Sequence, residues 1–277
     1  NKCLFVVASR ELMWLSQVGG IALRHYRLAE FGLKQAFSIV DKVNSGSQID
    51  AHSTKEVLRH MHQVHGVTLN PLLVALFVST PHIDSQDIPP NITQIFEKYT
   101  SYMLGQWDTT KGLSQQVEWK YKEKFLRVLA QKMHEARVIW ISEPNYRSAI
   151  VEFLSLLKNN ADPGKFGDEV LYRSGLLLTD GDRISFRHLA LQEYFAGTFF
   201  ETRDSALASN MHDERWRHSI MFAFGIKGDR VSDLAVLAEQ VYEQDATDAL
   251  VSLTTIGIAL QACYLSDFAT RETLYLD

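Results

Sequence analysis

Cysteine, long apolar runs and surplus basic charge are all scarce in this chain of 277 residues. Its only cysteines, Cys3 and Cys263, lie near opposite ends and form no Cys-x-x-Cys, which argues against a disulfide framework or a zinc knuckle. A reducing, cytoplasmic setting is the default expectation. The best apolar run, Leu72–Val78, falls far short of the ~18 residues that a membrane-spanning helix needs. No signal peptide is visible, so no membrane role is expected. A net charge of −5 and a pI near 6.1 argue against a general binder of nucleic acid or membrane surfaces.

Catalytic signatures are equally sparse. The chain has no Gly-x-x-x-x-Gly-Lys-Ser/Thr phosphate loop, no Gly-x-Ser-x-Gly elbow and no His-Glu-x-x-His pair. Gly19-Gly20 is an isolated pair, and no two carboxylates stand out as an acid/base couple. An independent enzyme is not supported by these residues.

What is present describes a globular protein with a real core: 46% of residues are hydrophobic and 22% charged. Leu4–Ala8 is a short continuous apolar run of the kind found in strands buried on both faces. No partner strand follows it. Together with the absence of an initial Met, this leads us to expect a fragment of a longer protein, with the missing strands upstream. Arg10 falls at the carboxyl end of that strand, where open α/β sheets gather ligand-binding groups.

Helical spacing then takes over. Leu33, Phe37 and Val40 mark one helix, closed by Asn44-Ser45-Gly46-Ser47. Ser53 and Glu56 form a capping-box pattern before Val57, Leu58, Met61 and Val64. His60, His62 and His65 on this helix read as a solvated face rather than a metal site. Asn70-Pro71 is a helix start, with Asn as N-cap and Pro at the first helical position. Further helices are expected over 92–107 and over 114–133, the latter with Val117, Tyr121, Val128 and Leu129 facing inward. Through residue 140 the pattern is that of a helical bundle.

A smaller domain follows. Ile150, Phe153, Leu154 and Leu157 define one helix, and 166–174 a second, ended by Gly175. Asp180-Gly181-Asp182 separates the runs 176–178 and 184–186, which is a hairpin signal. Leu191, Phe195 and Phe199 then space another helix. Helix, helix, hairpin, helix is compatible with a winged-helix domain. Its basic residues Lys165, Arg173, Arg183 and Arg187 are offset by Asp162, Asp168, Glu169, Asp180 and Asp182, so DNA affinity is expected to be poor. His188 sits where strand gives way to helix. A histidine there can meet an anion at the positive helix end, or pack into the core; the local pattern alone favours the core. Trp216, Ile220 and Phe224 begin another helical run, with two more helices over 231–241 and 246–263.

Four pieces, taken in order, resemble the NACHT family of STAND-class signalling NTPases, relatives of AAA+ proteins. Ala8-Ser9-Arg10 is similar to the family's first sensor, and Asn70-Pro71-Leu72-Leu73 to the start of its first helical domain. Phe186-x-His188 with Gln192-Glu193-Tyr194-Phe195-Ala196 resembles its winged-helix signature, and Trp216-Arg217 the start of its second helical domain. The first piece departs from the family pattern, with Ala8 for Thr and Glu11 where Pro is common.

The resemblance implies a mainly α chain in four parts. Residues 1–29 would be the remnant of an α/β nucleotide-binding subdomain and 30–140 the first helical domain. Residues 141–203 would be the winged helix, and 204–277 the start of a second, superhelical domain. It implies the regulatory portion of an ATP/ADP-dependent switch, as in immune or antiviral-defence sensors. Arg10 would sense the γ-phosphate, Pro71 would pack on adenine, and His188 would hold the β-phosphate of ADP. The phosphate loop and Mg would come from the upstream domain, so these residues alone should be inactive as an ATPase. Homo-oligomerisation on activation is a further family expectation. The alternatives are a non-enzymatic helical scaffold that binds a protein and, behind it, a DNA-binding winged-helix regulator.

Overall fold

A computed structural model describes residues 31–44, 51–63, 69–79, 89, 91–105, 118–157, 161–202, 204–241 and 245–265. The expected strand at Leu4–Ala8 and the site residue Arg10 lie outside the described residues. The fold is mainly helical, with one small antiparallel sheet among the described residues.

Among the described residues four helices come first: α1 (Leu33–Asn44), α2 (Ala51–Gln63), α3 (Pro71–Ser79) and α4 (Ile92–Met103). Val40 of α1, Val57, Leu58 and Met61 of α2, and Leu73 and Val74 of α3 are buried, as their spacing requires, whereas Leu33 and Phe37 of α1 are only half-buried and Ala36 turns inward beside Val40. The α3 start is as expected: Asn70 Oδ1 accepts the Leu73 N–H at 2.8 Å, with Pro71 at the first helical position. The α2 start is not. The helix begins at Ala51, so Ser53 is already inside it and does not cap it.

Helix α5 (Trp119–Glu135) follows, and its inner face differs from expectation. Tyr121 and Val128 are only half-buried, whereas Lys122, Phe125, Leu126 and Leu129 are buried. The face turns because Phe125 anchors an aromatic cluster, its ring centroid 5.4–5.7 Å from those of Phe153, Phe166 and Tyr146. Lys122 is drawn inward by Glu169, at 2.7 Å.

The chain then forms β1 (Ile141–Ser142), α6 (Glu143–Leu156) and α7 (Pro163–Asp168), which runs on as a π-type turn through Arg173. Next come β2 (Leu177–Asp180), β3 (Arg183–Phe186) and α8 (Leu189–Gly197). The order helix, helix, hairpin, helix therefore holds. The hairpin pairs Asp180 with Arg183 across Gly181, whose φ of +61° suits the tight turn. Strand β1 has no sequence signal of its own. It forms because Ile141 and Ser142 pair with Ile184 and Arg183, giving the order β1-β3-β2.

The remaining helices among the described residues are α9 (Asp204–Asn210), which the sequence reading did not anticipate, and α10 (Arg217–Lys227), α11 (Val231–Val241) and α12 (Ala246–Ala262), close to their expected spans. Helix α10 packs against both α8 and α12. It closes at Gly228, whose φ of +71° makes the left-handed stop.

Candidate functional site

The junction between β3 and α8 is built by a local exchange of hydrogen bonds. His188 has extended backbone geometry and is the N-cap of α8. Its Nδ1 accepts the Ala190 N–H at 3.1 Å. An imidazole nitrogen that accepts carries no proton, which assigns the ring proton to Nε2. The side chain is exposed, so His188 is not a packed core residue. It lies at the positive end of α8, where His188 itself takes up the first-turn N–H groups, its Nδ1 that of Ala190 and its carbonyl that of Leu191 at 2.9 Å.

Arg187 stands next to it and is also exposed. Its backbone N–H donates to the Leu176 carbonyl at 2.8 Å, and its Nε to the Gly175 carbonyl at 2.6 Å. Gly175 has φ +64°, which favours glycine in the turn before β2, and it lies against the end of the Met103 side chain of α4. Among the described residues no carboxylate forms an ion pair with Arg187. Tyr99 of α4 lies close enough to feel its charge: burial raises the phenol above its ordinary value while Arg187 draws it down. Arg187 and His188 are thus consecutive exposed residues at the start of α8. A guanidinium and a helix N-terminus are each groups that can meet a phosphate or carboxylate.

The rest of the α8 motif is buried and structural. Gln192 Nε2 donates to the Val138 carbonyl at 3.1 Å, fastening the chain between α5 and β1. Glu193, although buried, meets His218 Nδ1 of α10 at 3.2 Å. The Tyr194 hydroxyl hydrogen-bonds Thr100 of α4, and its ring stands 5.5 Å from Phe222 and 5.7 Å from Phe96. Phe195 packs on Phe186 of β3, centroids 5.8 Å apart. Four consecutive side chains therefore reach four different neighbours. Gly197 ends the helix against Ser219 and Phe222, where a methyl group would meet the Phe222 Cβ at 2.9 Å.

Pro71 is exposed at the first turn of α3, its ring free to present an apolar face. Helix α3 packs on α1 and α4, whereas α8 packs on α5 and α10. Helix α4 lies between them and touches both, and no hydrogen bond links Pro71 to His188. Sequence reasoning found His188 and Pro71 but missed Arg187 and Tyr99 as neighbours of the junction. Arg187 carried a local signal, standing beside His188 at a helix start; Tyr99, on a distant helix, carried none. His60 and His62 are exposed on α2, and among the described residues no group of three His, Cys, Asp or Glu is placed to hold a metal ion.

No protein-family model matches the chain, and no curated protein matches it. Among the described residues no helix is long and apolar enough to cross a membrane.

Proposed function

We propose that the chain is the regulatory portion of an ATP/ADP-dependent signalling switch of the NACHT/STAND type, cytoplasmic and active as a homo-oligomer. In this reading 141–203 is a winged helix that latches onto ADP bound by an upstream nucleotide-binding domain, which supplies the phosphate loop and Mg. The observation that carries it is the geometry of His188. Its Nδ1 is occupied by the α8 backbone, which leaves Nε2–H outward at a helix N-terminus, the arrangement a phosphate ligand requires. Pro71 and Arg10 would complete the nucleotide contacts, at adenine and at the γ-phosphate.

The physics of a switch follows from differential affinity. A latch that grips ADP holds two subdomains together. ATP, bound without that grip, releases them. The test uses protein that includes the upstream nucleotide-binding sequence. His188→Ala should lower the ADP that co-purifies, and unchanged ADP occupancy would remove the latch.

A second reading is a protein-binding scaffold, favoured by the exposed Leu250 and Leu253 on α12. Upstream coding sequence without a Gly-rich Lys-Ser/Thr loop would favour the scaffold.

A further inference from the structure

A buried ion pair is connected by hydrogen bonds to the junction between β3 and α8. Lys122 of α5 and Glu169 meet at 2.7 Å, and both are buried. Glu169 is the first residue of the π-type turn that continues α7 through Arg173. Helix α7 itself is fastened to α6: the Tyr146 hydroxyl donates to the Gly167 carbonyl at 2.9 Å, and Arg147 pairs with Asp168 at 2.8 Å. Lys122 takes hold one residue later, on the turn. From the turn, Ser174 Oγ donates to the Val170 carbonyl at 2.6 Å and accepts the Leu176 N–H at 3.2 Å. The Leu176 carbonyl in turn accepts the Arg187 N–H at 2.8 Å, and the Gly175 carbonyl accepts from Arg187 Nε at 2.6 Å. His188, the cap of α8, is the next residue.

We propose that Lys122 and Glu169 are positioning residues: by holding the π-type turn they set where β3 ends and where Arg187 and His188 stand. For its nucleotide readout the inference rests on His188 as the latch proposed above. Three observations support it. Phe166, Val170 and Leu171 already give this segment a buried apolar side, so a buried carboxylate adds nothing to its packing. A buried ion pair contributes little net stability over apolar residues of its size; its effect is to accept one arrangement and penalise others. Finally, the path it feeds is short and closed to water at its middle. Ser174 is 3% exposed, and its hydroxyl both donates and accepts, so a shift of the turn must move Leu176 with it. π-type turns are rare and recur at functional sites.

The double variant Lys122→Met, Glu169→Leu removes the pair without stranding a charge, so most of the stability is kept. In the whole 277-residue chain, amide hydrogen exchange at Leu176 and Arg187 should rise about tenfold and stay unchanged over 256–260 of α12. Ser174→Ala breaks the path beyond the pair and leaves α5 untouched. It should give the same pattern, and it decides alone should the double variant not fold. Unchanged exchange at Leu176 and Arg187, or an even rise that includes 256–260, would overturn the proposal. In protein that includes the upstream nucleotide-binding sequence, the double variant should retain severalfold less co-purifying ADP at a similar melting temperature. Full retention there, alongside loss in His188→Ala, would overturn the positioning role. Full retention in both would instead remove the latch, and the exchange at Leu176 and Arg187 would then decide the positioning by itself.

Discussion

The ring of Tyr194 stands perpendicular to that of Phe222, centroids 5.5 Å apart at an interplanar angle of 90°. This contact helps to join α8 to α10, alongside the Glu193–His218 pair, and the Tyr194 hydroxyl joins both to Thr100 of α4. Removal of the ring and removal of the hydroxyl should therefore separate cleanly. Tyr194→Phe keeps the packing and loses one hydrogen bond, at a cost of about 1 kcal/mol. Tyr194→Ala empties a fully buried site and should cost about 3–5 kcal/mol. Urea unfolding of the two variants measures both. Equal losses would show that the ring contributes nothing beyond its hydroxyl.

Lys122 and Glu169 form an ion pair at 2.7 Å with side chains only 7% and 9% exposed. Glu169 Oε2 has no partner among the described residues. Lys122→Met should destabilise by about 3–5 kcal/mol, because it strands a buried carboxylate. Adding Glu169→Leu should restore most of that loss. A double variant no more stable than the single would contradict this reading.

Stability should also fall in mild acid through His134. The ring is buried 4.2 Å from Trp216, and its Nε2 donates to the Arg215 carbonyl at 2.9 Å. Burial holds its pKa below the ordinary value of 6.5, against the pull of the Arg215 carbonyl, Glu193 and Asp213. The unfolded ring then takes up a proton first as pH drops. Stability is full above about pH 6.5 and declines below it until the folded ring protonates too. Melting should therefore occur at lower temperature at pH 5.5 than at pH 7.5, by about 2–4 °C for each kcal/mol lost. His134→Gln should flatten that dependence; an unchanged slope would place its origin elsewhere.

Local rules made much of this fold legible, and distance in sequence set the limit. Asn70-Pro71 announced α3, and Asp180-Gly181-Asp182 announced the hairpin, because both are settled within four residues. The turn of α5 that buries Lys122 was not legible, since Glu169 lies 47 positions away. Strand β1 exists only through its pairing with β3. At the junction the histidine itself was legible. Its exposure was not, because an alternating strand followed by an apolar helix reads as core on every side. The motif after it resembles a family signature, yet its buried members bind the fold together: Gln192 reaches Val138 across 54 positions. Only His188 and Arg187 face outward from it.

His188 has two separable roles, a cap on α8 and an outward donor. Asparagine can take over the first, since it is among the best N-caps, but lacks the reach and ring N–H of the second. His188→Asn in protein that includes the upstream nucleotide-binding sequence therefore gives the most direct measurement. The account predicts an unchanged melting temperature in the absence of nucleotide, together with loss of co-purifying ADP. Full ADP retention at unchanged stability would contradict it.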